Sequence, residues 1–131
     1  MVEDRITDGR RIAELLSSEL SGREDDEFEA VAVTNADRDV EPTADGGRAY
    51  DVSCNDERIA RAFVHDDRAH LEFETAHDIA AETASDVDLR VRPKATTPPR
   101  TLVFVESGAD VKRATDVIRA VSRRRLEDGD T

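Results

Sequence analysis

Residues 58–74 read RIARAFVHDDRAHLEFE, and this stretch decides the fold. Two alternating runs flank the polar turn His65-Asp66-Asp67-Arg68, which is the pattern of a β-hairpin. Pairing Val64 with Ala69 sets Ala62 opposite Leu71 and Ala60 opposite Phe73, so one face is apolar throughout. On the other face Arg61 lies opposite Glu72, a favourable cross-strand charge pair. Ile59 and Phe63 are expected to point that way too, among the charges. An exposed apolar pair framed by charges has the composition of an interface core with a polar rim, so Ile59 and Phe63 are the candidate interface residues.

Upstream of the hairpin, Arg48 to Cys54 alternates and brings Tyr50, Val52 and Cys54 to one face. Asn35 to Gly47, with Pro42 and Asp45-Gly46-Gly47, reads as a surface loop. Phe28 to Thr34 alternates as a strand with Val31 and Val33 together. Before it, Thr7 or Asp8 caps a helix whose Ile12, Leu15, Leu16 and Leu20 form one stripe and which stops at Gly22. Downstream, Thr75 and Asp78 form a capping-box pattern that opens a short Ala-rich helix to about Ala84. Val87, Leu89 and Val91 then alternate with Asp88, Arg90 and Arg92 as a half-exposed strand, and Pro93 to Pro99 reads as a stiff connector. Leu102 to Val105 is apolar on both faces, which places it inside a sheet. Ser107 with Asp110 opens a last helix whose stripe is Val111, Ala114, Ile118 and Val121, with Arg123, Arg124 and Arg125 suiting the negative end of its dipole.

The resulting order is α-β-β-β-β-α-β-β-α. Short connections between strands favour a mostly antiparallel sheet of five to six strands with three helices, an α+β fold. One domain over residues 1–126 is expected, followed by a frayed tail over 127–131.

Composition narrows the class. The 131 residues carry 31 acids against 19 bases, a formal net charge of −12. Only Lys94 and Lys112 are lysines, and the remaining bases are arginines. Fixed Arg charge, scarce Lys and abundant Asp suit a solvent of molar salt, where the screening length is only about 3 Å and such a charge repels itself little. No apolar run approaches the roughly 18 residues of a membrane span, and the start, Met1-Val2-Glu3-Asp4, is unlike a signal peptide. The expectation is a cytoplasmic protein without membrane association. The lone Cys54 excludes an internal disulfide.

Motifs for chemistry are few. His65, Asp66, Asp67 and His70 cluster around the hairpin turn, with both histidines on one face, but spacing fixes no further ligands, so no metal is assigned. Cys54 in an alternating strand reads as a small buried apolar residue, with a nucleophile as the alternative. The stretch Asn35-x-Asp37-x-Asp39 begins like a calcium loop but has Val40 and Gly46 where that loop needs Gly and Glu. No phosphate-binding glycine pattern is present, and no cofactor is expected.

Charge is unevenly placed. Residues 89–126 hold ten bases and three acids, while residues 1–88 hold nine bases and 25 acids. Such asymmetry has two readings. The basic part packs against the acidic part within the chain or across a dimer, or it meets an anionic partner such as nucleic acid. The candidate polyanion-binding residues are Arg90, Arg92, Lys94 and Arg100.

The runs DGRRIAELL over residues 8–16, RVRPK over 90–94 and PPRTLVFV over 98–105 resemble those of small haloarchaeal proteins with no assigned activity. The element order is also similar to that of the secretion-chaperone-like fold, a resemblance that implies a dimeric protein-binding module. The first expectation is therefore a halophilic, non-enzymatic binding or scaffold module that partners itself as a homodimer or binds another protein. Nucleic-acid or polyanion binding through the basic segment, and a small enzyme using Cys54 or the His65/His70 pair, are the alternatives.

Overall fold

A computed structural model describes residues 8–22, 31–96 and 99–129. Three helices and a six-stranded, wholly antiparallel sheet follow one another in the expected order. The helices are α1 (Gly9–Gly22), α2 (His77–Asp86) and α3 (Asp110–Gly129). The strands are β1 (Val31–Thr34), β2 (Gly47–Cys54), β3 (Glu57–Val64), β4 (Ala69–Phe73), β5 (Val91–Lys94) and β6 (Arg100–Val105). Their spatial order is β1-β2-β3-β4-β6-β5. The single crossover arises because the chain leaves β4, forms α2, and returns to the far edge before filling the place beside β4.

The hairpin register is the one its alternation dictates: Val64 pairs with Ala69, Ala62 with Leu71, Arg61 with Glu72 and Ala60 with Phe73. One face of the sheet carries Val52, Ala60, Ala62, Val64, Leu71, Phe73, Val103 and Val105, all essentially inaccessible. All three helices cover this face, α1 through Ile12, Leu16 and Leu20, and α3 through Val111, Ala114, Ile118 and Val121. Small Ala residues in the centre of β3 let the helices approach closely, and the Tyr50 hydroxyl crosses from β2 to donate to the Ala13 carbonyl of α1 at 2.8 Å. Burial of that phenol pushes its pKa up. No helix among the described residues is long and apolar enough to cross a membrane.

The start of α1 is fixed locally. Asp8 Oδ1 accepts the backbone N–H groups of Arg10 and Arg11 at 3.0 and 3.2 Å, satisfying two of the donors a helix start leaves open. Gly9 then lies directly on the β3–β4 turn, where its N–H donates to the Asp66 carbonyl at 3.2 Å.

Several expectations are corrected. Ile59 does not share the charged face with Phe63. A bulge between Val52 and Ser53 leaves Ile59 as the extra residue of β3, which resets the alternation and carries the side chain into the core at 1% exposure. The capping box at Thr75 is absent: α2 begins after Ala76, which sits in the left-handed region at φ 50° and makes no side-chain cap. The strand expected over Val87–Arg92 is displaced to Val91–Lys94. Val87 and Asp88 instead end α2, with Asp88 left-handed (φ 62°) and Leu89 N–H reaching back to the Ala84 carbonyl at 2.9 Å, a Schellman-type stop. Pro93 therefore lies within a strand and not in a connector, which is tolerated because β5 is the sheet edge. Helix α3 starts at Asp110, whose carboxylate takes the Glu106 N–H at 3.1 Å, and it runs to Gly129, into the stretch 127–131 read as a tail. The part of the β1 expectation that falls on Phe28–Ala30 lies outside the described residues.

Candidate functional site

Cross-strand partners share a face, so the register also defines the sheet face that none of the described helices covers. It carries Arg48, Asp51 and Ser53 from β2, Arg61 and Phe63 from β3, His70 and Glu72 from β4, Leu102 and Phe104 from β6, and Arg92 and Lys94 from β5. The loop between β1 and β2 folds back over one end of this face. Its Gly46 has φ +98°, and a Cβ there would stand 3.0 Å from His70 Cε1, 3.0 Å from Phe63 Cβ and 3.2 Å from His65 Nε2. Only glycine allows the loop to lie so close.

Beneath that loop runs a linear chain of polar groups. His65 Nδ1 lies 3.1 Å from the Ala44 carbonyl, His65 Nε2 lies 2.7 Å from His70 Nδ1, and His70 Nε2 lies 3.0 Å from Glu72 Oε2. Glu72 Oε1 accepts from Arg100 at 3.0 Å, and Lys94 Nζ stands 3.5 Å from Glu72 Oε2. All three of His65, His70 and Glu72 are buried. Phe63 stacks on the His70 ring with centroids 4.9 Å apart, and Phe104 closes the other side at 5.8 Å. Arg90 lies over the outer face of Phe104 at 4.7 Å, a cation–π contact.

Burial lowers the pKa of both imidazoles. Arg68 adds to this at His65, and the Ala44 carbonyl opposes it; at His70 the hydrogen bond to Glu72 opposes it. Burial pushes Glu72 upward, but the bonds from His70 and Arg100 and the charge of Lys94 outweigh it, so the carboxyl is held below its ordinary range.

The histidines come together as the hairpin register predicts, but as partners of each other and not as two arms of a metal site. Among the described residues no group of three or more His, Cys, Asp or Glu is arranged to hold a metal ion. Cys54 is buried on the helix-covered face, its pKa raised by burial against the smaller opposing effects of the Ser122 hydroxyl and Arg125. It lies on the opposite side of the sheet from His65 and His70, so no imidazole from that pair activates it. A groove of about 520 Å³ between α1 and the β1–β2 loop is lined by Arg10, Ser17, Asp37, Val40, Tyr50 and Val64, among others, and it reaches none of Cys54, His65 and His70.

The basic candidates are largely engaged within the chain. Arg100 and Lys94 hold Glu72, and Arg90 pairs with Glu106 at 3.5 Å. Arg92 is exposed and has no carboxylate partner among the described residues. Arg125 of α3 also reaches Glu57 at the start of β3. The basic last third thus meets acids of the first two thirds in the same chain at Glu72 and Glu57. Two features of this site escape a reading of the sequence. The Ala44 carbonyl is contributed by backbone and leaves no residue-type signal. Glu72 was legible only as the partner of Arg61, yet its i,i+2 spacing from His70 puts both on one face.

The chain belongs to a family of unknown function (DUF7993), whose profile matches residues 1–131. No curated protein and no solved structure matches it.

Proposed function

We propose that this member of the family is a non-enzymatic binding module that works as a homodimer, each copy offering its uncovered sheet face. The observation that carries this reading is Phe63 and Leu102, two hydrophobes left partly exposed on the face that none of the described helices covers. Phe63 keeps its place as an interface residue, whereas Ile59, in the core, gives it up to Leu102. Around them several charges are paired: Arg58 and Arg61 both reach Glu74, at 2.8 and 3.2 Å, and Arg48 stands 3.5 Å from Asp51. A second copy would meet these two apolar side chains, which lie on β3 and β6 on either side of His70 and Glu72 of β4, among polar groups, and apolar contacts within a polar rim are what interfaces share. The salt-tolerant, acidic remainder of the surface keeps such a dimer from associating further.

Light scattering on the full chain in molar KCl tests this. Twice the 14.5 kDa chain mass is expected, falling to the single-chain mass for Leu102→Arg, which replaces one of the two apolar side chains by a charge. A wild-type protein at 14.5 kDa would remove the proposal.

A second reading is favoured by Arg92 and by the excess of bases over acids on this face, in a chain of net charge −12. It is the binding of an anionic polymer. Retention on nucleic acid that is lost in Arg92→Ala and weakens steeply with KCl supports it. Absence of retention in dilute salt dismisses it.

A further inference from the structure

The chain from the Ala44 carbonyl through His65 and His70 to Glu72 contains three contacts, and each needs one proton. Its two ends, a backbone carbonyl and a carboxylate, only accept. Two neutral imidazoles carry one N–H each, so between them they fill two contacts of the three. Glu72 does not supply the third proton, because Arg100 at 3.0 Å and Lys94 at 3.5 Å hold its carboxylate ionised. The complete chain therefore requires an imidazole pair that carries one extra proton and shares it across the 2.7 Å contact.

We propose that this pair is a proton-operated latch on the tip of the loop between β1 and β2, residues 43–46: the tip is held at Ala44 when the pair carries three protons and loosened there when it carries two. When the extra proton leaves to solvent, one contact must become lone pair against lone pair. Leaving His70 Nε2 unprotonated against an ionised carboxylate costs more than leaving His65 Nδ1 unprotonated against a neutral carbonyl, since bonds to charged groups are roughly twice as strong. The two remaining protons thus settle on His70 Nε2, facing Glu72, and between the rings. His65 Nδ1 is left bare before Ala44, and the loop tip loses this bond to the sheet.

The surroundings support this assignment. Besides Glu72, the charged groups near the pair are Lys94 on β5, Arg100 on β6, and Asp67 and Arg68 in the β3–β4 turn. Arg90 is separated from it by the Phe104 ring. On the loop side the pair meets backbone at Ala44 and Thr43, and Gly46 lies against both rings. The loop has other attachments: backbone bonds from Asp37 N–H to the Ala49 carbonyl at 2.7 Å and from Thr43 N–H to the Val64 carbonyl at 3.4 Å, and side-chain bonds from Arg10 to the Arg38 carbonyl at 3.1 Å, from Arg48 to the Asn35 carbonyl at 2.9 Å and from Asn35 to the Asp51 carboxylate at 2.9 Å. His65 is the side chain that ties residue 44 down.

Nitrogen-15 spectra of histidine-labelled full-length protein, recorded in molar KCl from about pH 4.5 to 8, read the latch directly. On the acid side three of the four ring nitrogens of the pair are expected to be protonated. Through the midpoint His65 Nδ1 alone should lose its proton, while His70 Nε2 keeps its own. Over the same interval the amides of Thr43 and Gly46 should exchange about five- to tenfold faster after correction for intrinsic pH dependence, the loss of one hydrogen bond. In Glu72→Gln the amide donates to His70 Nε2, so two neutral rings fill all three contacts and loop exchange should no longer respond to this titration. A His65 Nδ1 that stays protonated throughout, or loop exchange that ignores the titration in the wild type, overturns the proposal. The wild-type titration alone decides it if the variant fails to fold.

Discussion

Replacing Gly9 by Ala separates what helix propensity predicts from what packing predicts, because the two differ in sign. Gly9 is the first residue of α1, and in a helix Gly→Ala ordinarily gains up to about 1 kcal/mol. Here the added Cβ would lie 1.8 Å from the His65 carbonyl oxygen and 2.4 Å from that of Arg68, both backbone atoms of the β3–β4 turn. Relief requires the helix start and the turn to part by about 1.2 Å, the difference from the 3.0 Å below which real Cβ contacts essentially do not occur. That movement breaks the Gly9 N–H bond to Asp66, worth about 0.5–1.5 kcal/mol. It also carries the strain of overpacking, about 1–3 kcal/mol. After the propensity gain is subtracted, a destabilisation of about 1–3 kcal/mol remains, which lowers Tm by roughly 5–10 °C for a chain of this size. Thermal melts in molar KCl measure it, with Ser18→Ala on the exposed side of the same helix as the control, expected to gain about 0.5 kcal/mol. A Gly9→Ala protein that melts at or above the wild-type temperature refutes the argument that α1 is seated on the hairpin turn through this glycine.

Ile59→Ala should cost about 2–5 kcal/mol in urea unfolding, the value for a buried aliphatic side chain; a loss under 0.5 kcal/mol would return Ile59 to the surface. Salt should stabilise strongly, Tm rising as KCl goes from about 0.05 to 2 M, because self-repulsion at net charge −12 is screened over about 3 Å at 1 M and only over about 30 Å at 0.01 M. A melting temperature flat in KCl but raised by sucrose would sink the salt-adaptation reading. Acid should not replace salt at the histidines: their folded pKa values lie below the unfolded 6.5, so the unfolded chain binds more protons and stability falls as pH drops from about 6.5 toward the folded values. Glu72, also lowered, adds a loss at more acidic pH as its carboxylate is protonated. Chemical unfolding at stepped pH in constant 2 M KCl measures both, and stability that increases on acidification over the histidine range would contradict the burial of the pair.

Much of this protein was determined by its sequence. Alternation of period two, with Arg61 and Glu72 able to face each other only in one register, set the pairing of β3 with β4, because a slip of one residue would turn Ala60, Ala62, Val64, Leu71 and Phe73 out to solvent. Asp8 capped α1 through a contact three residues long, and the order of helices and strands followed from patterns of similar range. Tertiary structure decided wherever two local signals competed or a backbone group took part. Val87 to Arg92 alternates like a strand, but the left-handed Asp88 and the bond from Leu89 back to Ala84 claimed its first half for the end of α2. Pro93 was admitted to a strand because the sheet ends there. Ile59 turned inward because one residue too many on β3, against β2, broke the alternation on which its outward placement rested. His65 and His70 were placed together by the hairpin, yet their role as links between Ala44 and Glu72 depended on a loop folding back at Gly46 and on cations arriving from β5 and β6. Sequence fixes relations that repeat along a strand or a helix turn; the meeting of a carbonyl, two rings and a carboxylate from separate segments depends on the sheet and the loop that fold them together.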